Sequence, residues 1–450
     1  MEKQFEKEGR RGFRIGAAFL IGSVVLLLVL QSVLGLWSPS GGGSGSFDFY
    51  RGPALPLTAI SGGEGLEATR HVDFDFSPYG TGEKEVILTD AYTLTNPGSE
   101  AVTARLAYPF LGSLIREDRF FPVITTNGNA VDTDLRLSLD DGPARAADWD
   151  DFCTAMRETD QLAQALAEHP AMDTPVTVYL ISDIRDESTE AVSNKYLTLT
   201  YTPDPGTTIW SYHCSDNENE DGTHFITLDV PEHDWQWGFC CLIVQGGQLH
   251  DFSQQGHHST FPPKESNRLD GISTSVARYE STFGEALWAL AEHYRTAPMY
   301  DDRFENNPHA TPETLYRGAM ARIGSESYHG FSIVHQILDE VFYSVLSEEV
   351  LMYRVFSLTL APGESVALDI RCHQGASRDL GGFQSASQGY ELATRLGSTL
   401  SLGAQSASLS EAREIRILEQ NFGFDPASGI LSVTLDPAVQ RYYLRVQAAQ

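Results

Sequence analysis

The hydrophobic pattern opens with a block. Residues 15–37 run for 23 positions without a charged side chain. At 1.5 Å per residue this makes about 34 Å of helix, enough to cross a hydrocarbon core of about 30 Å. Gln31 and Ser32 interrupt it near the far end, and Trp37 stands where an interfacial aromatic anchor belongs. The pattern predicts a transmembrane helix. Residues 38–46 hold only Ser, Gly and one Pro, and the segment 38–64 is expected to be a flexible tether.

After residue 65 the period falls to two. Apolar and polar positions alternate over 71–76 and 85–95, and again over 101–110 after the turn Asn96-Pro97-Gly98-Ser99. Asn127-Gly128 separates two further apolar runs, a hairpin signal because both residues tolerate positive φ. More strands are expected at 176–182, 195–202, 207–214, 224–230 and 239–244. Within this β-sandwich region, 65–255, one stretch breaks the rhythm. Over 146–169, Trp149, Phe152, Met156, Ala163, Leu166 and Ala167 recur at helical spacing, with Asp148, Asp150, Asp151, Glu158 and Asp160 between them. An inserted helix is expected there.

A helical block is predicted over 272–350. Tyr279, Phe283, Ala286, Leu287, Leu290 and Tyr294 mark one face, Thr311-Pro312 is an N-cap followed by proline at the first helical position, and Phe331 to Leu346 carry a third apolar stripe. Period two returns over 351–450. Runs at 353–360 and 366–372 flank the turn Ala361-Pro362-Gly363-Glu364, a hairpin expected to rejoin an earlier sheet. The fold class predicted is mainly β with α insertions: an N-terminal transmembrane helix, then two or more antiparallel β-sandwich modules with a helical block.

Charge gives this layout an orientation. Residues 1–14 hold Lys3, Lys7, Arg10, Arg11 and Arg14 against Glu2, Glu6 and Glu8, a net of +2, and no Lys or Arg follows until Arg51. The positive-inside rule places the 1–14 tail in the cytoplasm and the C-terminal body outside the cell membrane. A cleaved signal peptide with its site at Val33-Leu34-Gly35 is the rival, but its apolar region would be longer than the usual 7–15 residues and Ala-x-Ala is absent. The 450-residue chain carries 31 Lys+Arg against 61 Asp+Glu, a net of −30; setting aside the +2 tail leaves −32 on the body. Such a polyanion excludes nucleic-acid partners and anionic lipid headgroups, both of which need Lys/Arg clusters. The length suits two or three domains, and 41% hydrophobic residues exclude global disorder.

Candidate chemistry is sparse. There is no Gly-x-Ser-x-Gly elbow, Walker loop, dinucleotide fingerprint or His-Glu-x-x-His, and no cofactor is implied. Asn217, Asn219, Asp221 and Gly222 match positions 1, 3, 5 and 6 of a calcium loop, yet position 1 is not Asp and position 12 falls on Leu228. An acidic hairpin tip explains the same residues. The aromatic run around Trp235 and Trp237 is where sugar stacking would be sought, against a strand entry whose tryptophans pack the core. Of five cysteines, Cys214 could bridge one of Cys240 and Cys241; buried free thiols are the expected state.

Tyr92-x-Leu94-x-Asn96, followed by Leu106-Ala107-Tyr108-Pro109 and the Thr126–Asn129 hairpin, resembles the strand pair of vault/inter-alpha-trypsin-type and immunoglobulin-like β-sandwich surface domains. The layout as a whole is similar to bacterial single-pass membrane proteins. The resemblance implies a sandwich fold and a surface role. It does not extend to metal-dependent adhesion, since Asp-x-Ser-x-Ser is missing. Together these features predict a membrane-anchored extracytoplasmic binding or scaffold protein, with a surface protein or glycan as partner. The alternatives are a surface hydrolase of cell-wall or carbohydrate polymers and a single-pass sensor working through a partner.

Overall fold

The computed structural model describes residues 50–138, 140–167, 172–192, 194–230, 239–258, 265–296, 308–324, 336–378 and 387–449. These lie in the unit Phe47–Gln450. The predicted membrane span at 15–37 falls outside the described residues, as do Trp235 and Trp237. Among the described residues no helix is long and apolar enough to cross a membrane.

The fold is mainly β, with strand over 49% of the chain, arranged in several largely antiparallel sheets with few helices. A seven-stranded sheet forms the spine, in the order Ser432–Leu435, Ser401–Ser410, Glu67–Asp75, Glu85–Thr95, Ser365–Gly375, Val123–Thr126 and Asn129–Ala130. Two four-stranded sheets cover one face of it. One runs Thr58–Ser61, Val102–Gly112, Val350–Leu360, Asp134–Leu137; the other runs Ser377–Arg378, Gln388–Ala393, Arg441–Ala448, Ile415–Gln420. Leu94, Leu106, Phe356 and Leu368 fill the first interface, and Phe74, Leu88, Tyr390 and Leu444 the second. Ala54, just ahead of Thr58–Ser61 in the first covering sheet, bonds to the second: its N–H donates to the Glu391 carbonyl at 2.7 Å, and its carbonyl accepts from the Ala393 N–H at 3.0 Å.

Strand alternation also drives two charges inward. Ala68, Arg70, Val72 and Phe74 share the core face of one strand; Val86, Leu88, Asp90, Tyr92 and Leu94 share that of the next. Arg70 and Asp90, both with fully buried side chains, meet there. Nε and Nη2 of Arg70 donate to the two Asp90 oxygens at 2.8 and 2.7 Å, while Nη1 donates to the Ala393 carbonyl at 2.7 Å. Tyr92 and Tyr108 hydroxyls donate to Asp90 at 3.0 and 3.3 Å, and Tyr92 Oη accepts from the Leu57 N–H at 2.9 Å. Every oxygen of the buried carboxylate is therefore satisfied, the condition under which a desolvated ion pair is tolerated.

Between Leu137 and Val350 the chain builds a second sandwich. One sheet runs Thr208–Tyr212, Phe239–Gln245, Pro175–Asp186, Ile272–Thr282; the facing sheet runs Asn217–Glu218, His224–Val230, Lys195–Pro203, Leu249–His258, Arg268–Leu269. Ile181, Leu199, Tyr201, Ile226 and Leu242 pack between them. The outer face of the first of these sheets packs Val178, Trp210 and Ile243 against the helices Phe283–Thr296, Pro312–Gly324 and Leu338–Ser347. The chain then returns: Val350–Leu360 pairs along its whole length with Val102–Gly112, and Ser365–Gly375 with Glu85–Thr95.

Several expected boundaries move. The tether does not reach residue 64, because Tyr50, Leu55 and Leu57 are buried and Thr58–Ser61 pairs with Val102–Gly112. The stretch 146–169 is not one helix. Asp148 accepts from the N–H groups of Asp150 and Asp151 and starts Trp149–Glu158; Thr159 is extended, and Asp160 caps a new start at Gln161–Leu166. The first part of 272–350 is strand, and Tyr279 lies exposed on this edge strand. Helical spacing there arose from a strand with little buried face.

Removing one member of the Arg70–Asp90 pair strands the other in the core. Asp90→Ala is expected to cost about 3–5 kcal/mol. The double substitution Arg70→Met, Asp90→Leu should cost less than either single change. Denaturant unfolding measures both, and additive losses would contradict the coupling.

Candidate functional site

A cavity of about 610 Å³ lies where the helices meet the edge of the first sandwich. Its walls are the strand Asp134–Leu137, the helix Pro312–Gly324, Trp288, His309 and Arg354. Thr311 Oγ1 caps the helix by accepting from the Thr314 N–H at 3.1 Å. Gly318 sets its distance from Leu338–Ser347: a Cβ there would lie 2.5 Å from Val345 Cγ1, so only glycine allows this approach. Leu315, Ala319 and Met320 then face the core, while Tyr316 and Arg317 border the cavity.

Among the described residues three arginines are buried: Arg70, Arg322 and Arg354. Arg70 pairs with Asp90, and Arg322 Nη1 with Glu348 Oε2 at 2.7 Å. Arg354, 8% exposed, has no carboxylate within 4.0 Å among the described residues. Its Nη2 lies 3.2 Å from His309 Nδ1, its Nη1 3.5 Å from Thr133 Oγ1, and its Cζ 5.8 Å from the centre of the Phe121 ring. Its Nε makes no hydrogen bond. Burial lowers the Arg354 pKa, and burial together with Arg354 lowers that of His309. His309 stands between the two charges: its Nε2 lies 2.9 Å from Asp118 Oδ1 and 3.0 Å from Arg354 Nη2, which also lies 3.2 Å from Nδ1.

The other charges around the cavity are matched. Arg136 pairs with Asp134 at 2.6 Å, Arg317 with Glu313 at 2.7 Å. Among the described residues that line the cavity, three guanidiniums stand against two carboxylates, and the Asp118 carboxylate acts on Arg354 from outside that lining. Trp288, 38% exposed, packs edge-on against Tyr316 with ring centres 5.3 Å apart and gives the wall an aromatic corner. The arrangement can hold a small molecule. Both carboxylates on its described lining, Asp134 and Glu313, are tied to arginine.

Sequence pattern pointed elsewhere. Asn217, Asn219 and Asp221 use their polar atoms to close the hairpin: Asn217 Nδ2 donates to the Ser215 carbonyl at 2.8 Å, Asn219 Nδ2 to Thr223 Oγ1 at 2.9 Å, and Asp221 Oδ1 accepts from the Thr223 N–H at 3.0 Å. Those Thr223 hydrogen bonds hold the Asp221 carboxyl below its ordinary pKa. No group of three His, Cys, Asp or Glu side chains among the described residues could hold a metal ion. All five cysteines are free thiols; Cys240 faces the inter-sheet core and Cys241 the helices. The cavity residues were missed, although Arg354 interrupts the apolar run Val350–Phe356, a usable signal.

A second titratable cluster lies at the end of Thr208–Tyr212. Tyr212 Oη and His293 Nδ1 are 3.0 Å apart, and Asp339 Oδ1 accepts from the His213 N–H at 3.1 Å. Burial pushes His213 down to about 4, with His293 adding to the effect, and pushes Asp339 up to about 6. No protein family matches the chain, and neither does any curated protein.

The two shifts act oppositely on stability. His213, lowered from 6.5, contributes stability that is complete above pH 6.5 and is lost as pH falls through 4. Asp339, raised from 3.8, contributes stability that is complete below pH 3.8 and is lost as pH rises through 6. Asp339→Asn removes the opposing contribution. Between pH 7 and 4 its melting temperature should therefore fall about 2 °C further than that of the wild type. Equal falls in the two proteins would contradict the assignment.

Proposed function

We propose that this chain is a membrane-anchored extracytoplasmic binding protein that holds a small-molecule ligand in the cavity beside Arg354. The cavity carries the reading. Its volume, about 610 Å³, falls in the range of ligand sites, and its wall combines apolar and aromatic surface with a few fixed polar groups. Supporting the anchor are the uncharged residues 15–37 and their basic N-terminal flank. Binding is favoured over hydrolysis because Asp134 and Glu313 are each neutralised by an arginine.

Native mass spectrometry of the full chain, purified from membranes in detergent, tests the cavity. A small molecule should co-purify with the wild type and be lost from Thr314→Trp, whose indole projects into the space and obstructs it, while the melting temperature stays within about 2 °C. A ligand retained in the variant would place binding elsewhere. The anchor is checked by carbonate extraction at high pH: the protein should stay with the membrane, and release would overturn the anchoring.

A further inference from the structure

We infer that the ligand of this cavity is a monoanion built on a ring with an apolar face, its charged head against Arg354 and its body on Trp288 and Tyr316. The inference rests on the cavity being a binding site and adds the chemistry of what enters. Its starting point is an imbalance. A buried guanidinium without a counter-ion bears the desolvation cost of its charge without the Coulombic return. Arg70 and Arg322 avoid this by pairing with Asp90 and Glu348; Arg354 meets, among the described residues, a neutral imidazole, a threonine hydroxyl and a phenyl ring, and the Asp118 carboxylate acts on its charge without direct contact.

Arg136 and Arg317 do not compete for an incoming anion on equal terms, because Asp134 and Glu313 already occupy them. Among the described lining residues the Arg354 guanidinium is the one without a direct carboxylate contact, and a head carrying one negative charge supplies that contact. A dianion would leave an excess beside Asp134. In a chain of net −30, the surrounding acidic surface adds to this preference for low charge. The body follows from the aromatic corner: the exposed part of Trp288, braced edge-on by Tyr316, offers a face to a planar ring or to the C–H face of a sugar.

Titration calorimetry on the full chain in detergent distinguishes these features. The probes are benzoate and D-glucuronate, their neutral counterparts benzamide and D-glucose, and inorganic phosphate. Each carboxylate should bind at least about tenfold tighter than its neutral counterpart, with phosphate weaker than either carboxylate. Arg354→Met keeps the apolar stem and should bring charged and neutral probes within about twofold of each other. Trp288→Ala should weaken both members of each pair by about three- to tenfold while preserving their ratio. The wild-type comparison needs no substitution, so the inference can be judged even where Arg354→Met fails to fold. Equal wild-type affinities for charged and neutral probes would overturn the monoanion and leave the binding reading intact. Failure of all five probes while a molecule still co-purifies would overturn the head-and-ring chemistry alone. Failure of the probes together with no co-purifying molecule would overturn both.

Discussion

The first sandwich depends on the pairing of Arg70 with Asp90. The spine sheet is covered by two separate sheets, and the line between them runs past Ala54, Leu55 and Ala393. Arg70 lies under that line. One edge of its guanidinium grips Asp90 within the spine, and Nη1 holds the Ala393 carbonyl of the cover. Asp90 in turn gathers the hydroxyls of Tyr92 and Tyr108, and Tyr92 takes the Leu57 N–H. A hydrophobic pair in the same place could fill the volume, yet it could not fix where one sheet ends and the next begins. Directional bonds to backbone on both sides do so, and this is what the buried charge contributes beyond stability.

The same physics gives Arg354 its meaning. It too sits on a buried strand position, forced inward by neighbours that belong to the core. Its surroundings differ: among the described residues its polar neighbours are a neutral histidine and a threonine, and the Asp118 carboxylate acts on it without direct contact. The fold supplies Arg70 with everything a guanidinium requires and leaves Arg354 with part of that requirement unmet, beside an open space. Arg70 and Arg354 are separated by whether a described residue brings a carboxylate into direct contact with the guanidinium.

Much of the architecture was legible in residue pattern because alternation is local. Val86, Leu88, Asp90, Tyr92 and Leu94 announce a strand and its inner face, and the return of the 353–372 hairpin to an earlier sheet follows from its turn and its apolar runs. The parts that escaped are those set by neighbours distant in sequence. Tyr279 looked helical because an exposed edge strand carries no alternation to contradict the spacing. Leu55 and Leu57 follow a Gly/Ser stretch and acquire their burial from residues distant in sequence, Leu55 from a cluster with Phe152 and Tyr353 and Leu57 from one with Tyr92 and Leu106. The calcium-like spacing of Asn217, Asn219 and Asp221 arose from residues that a tight hairpin needs for its own closure. The cavity was invisible because its lining is drawn from Thr133 to Arg354, and no short window contains it.

That spread in sequence has a mechanical consequence. Strand Asp134–Leu137 precedes the excursion that builds the second sandwich, Trp288 and Pro312–Gly324 belong to it, and Arg354 follows its return. The cavity exists only when the excursion has folded and its helices have packed against the edge of the first sandwich. A ligand touching Arg354 and Trp288 therefore bridges the two halves of the body. It binds the assembled state and not one in which the helices have separated from the sheet, so occupancy stabilises that junction by mass action. Under the proposed binding, a cavity at such a junction couples ligand occupancy to the packing of the inserted sandwich, with Arg354 on one side of the junction and Trp288 on the other.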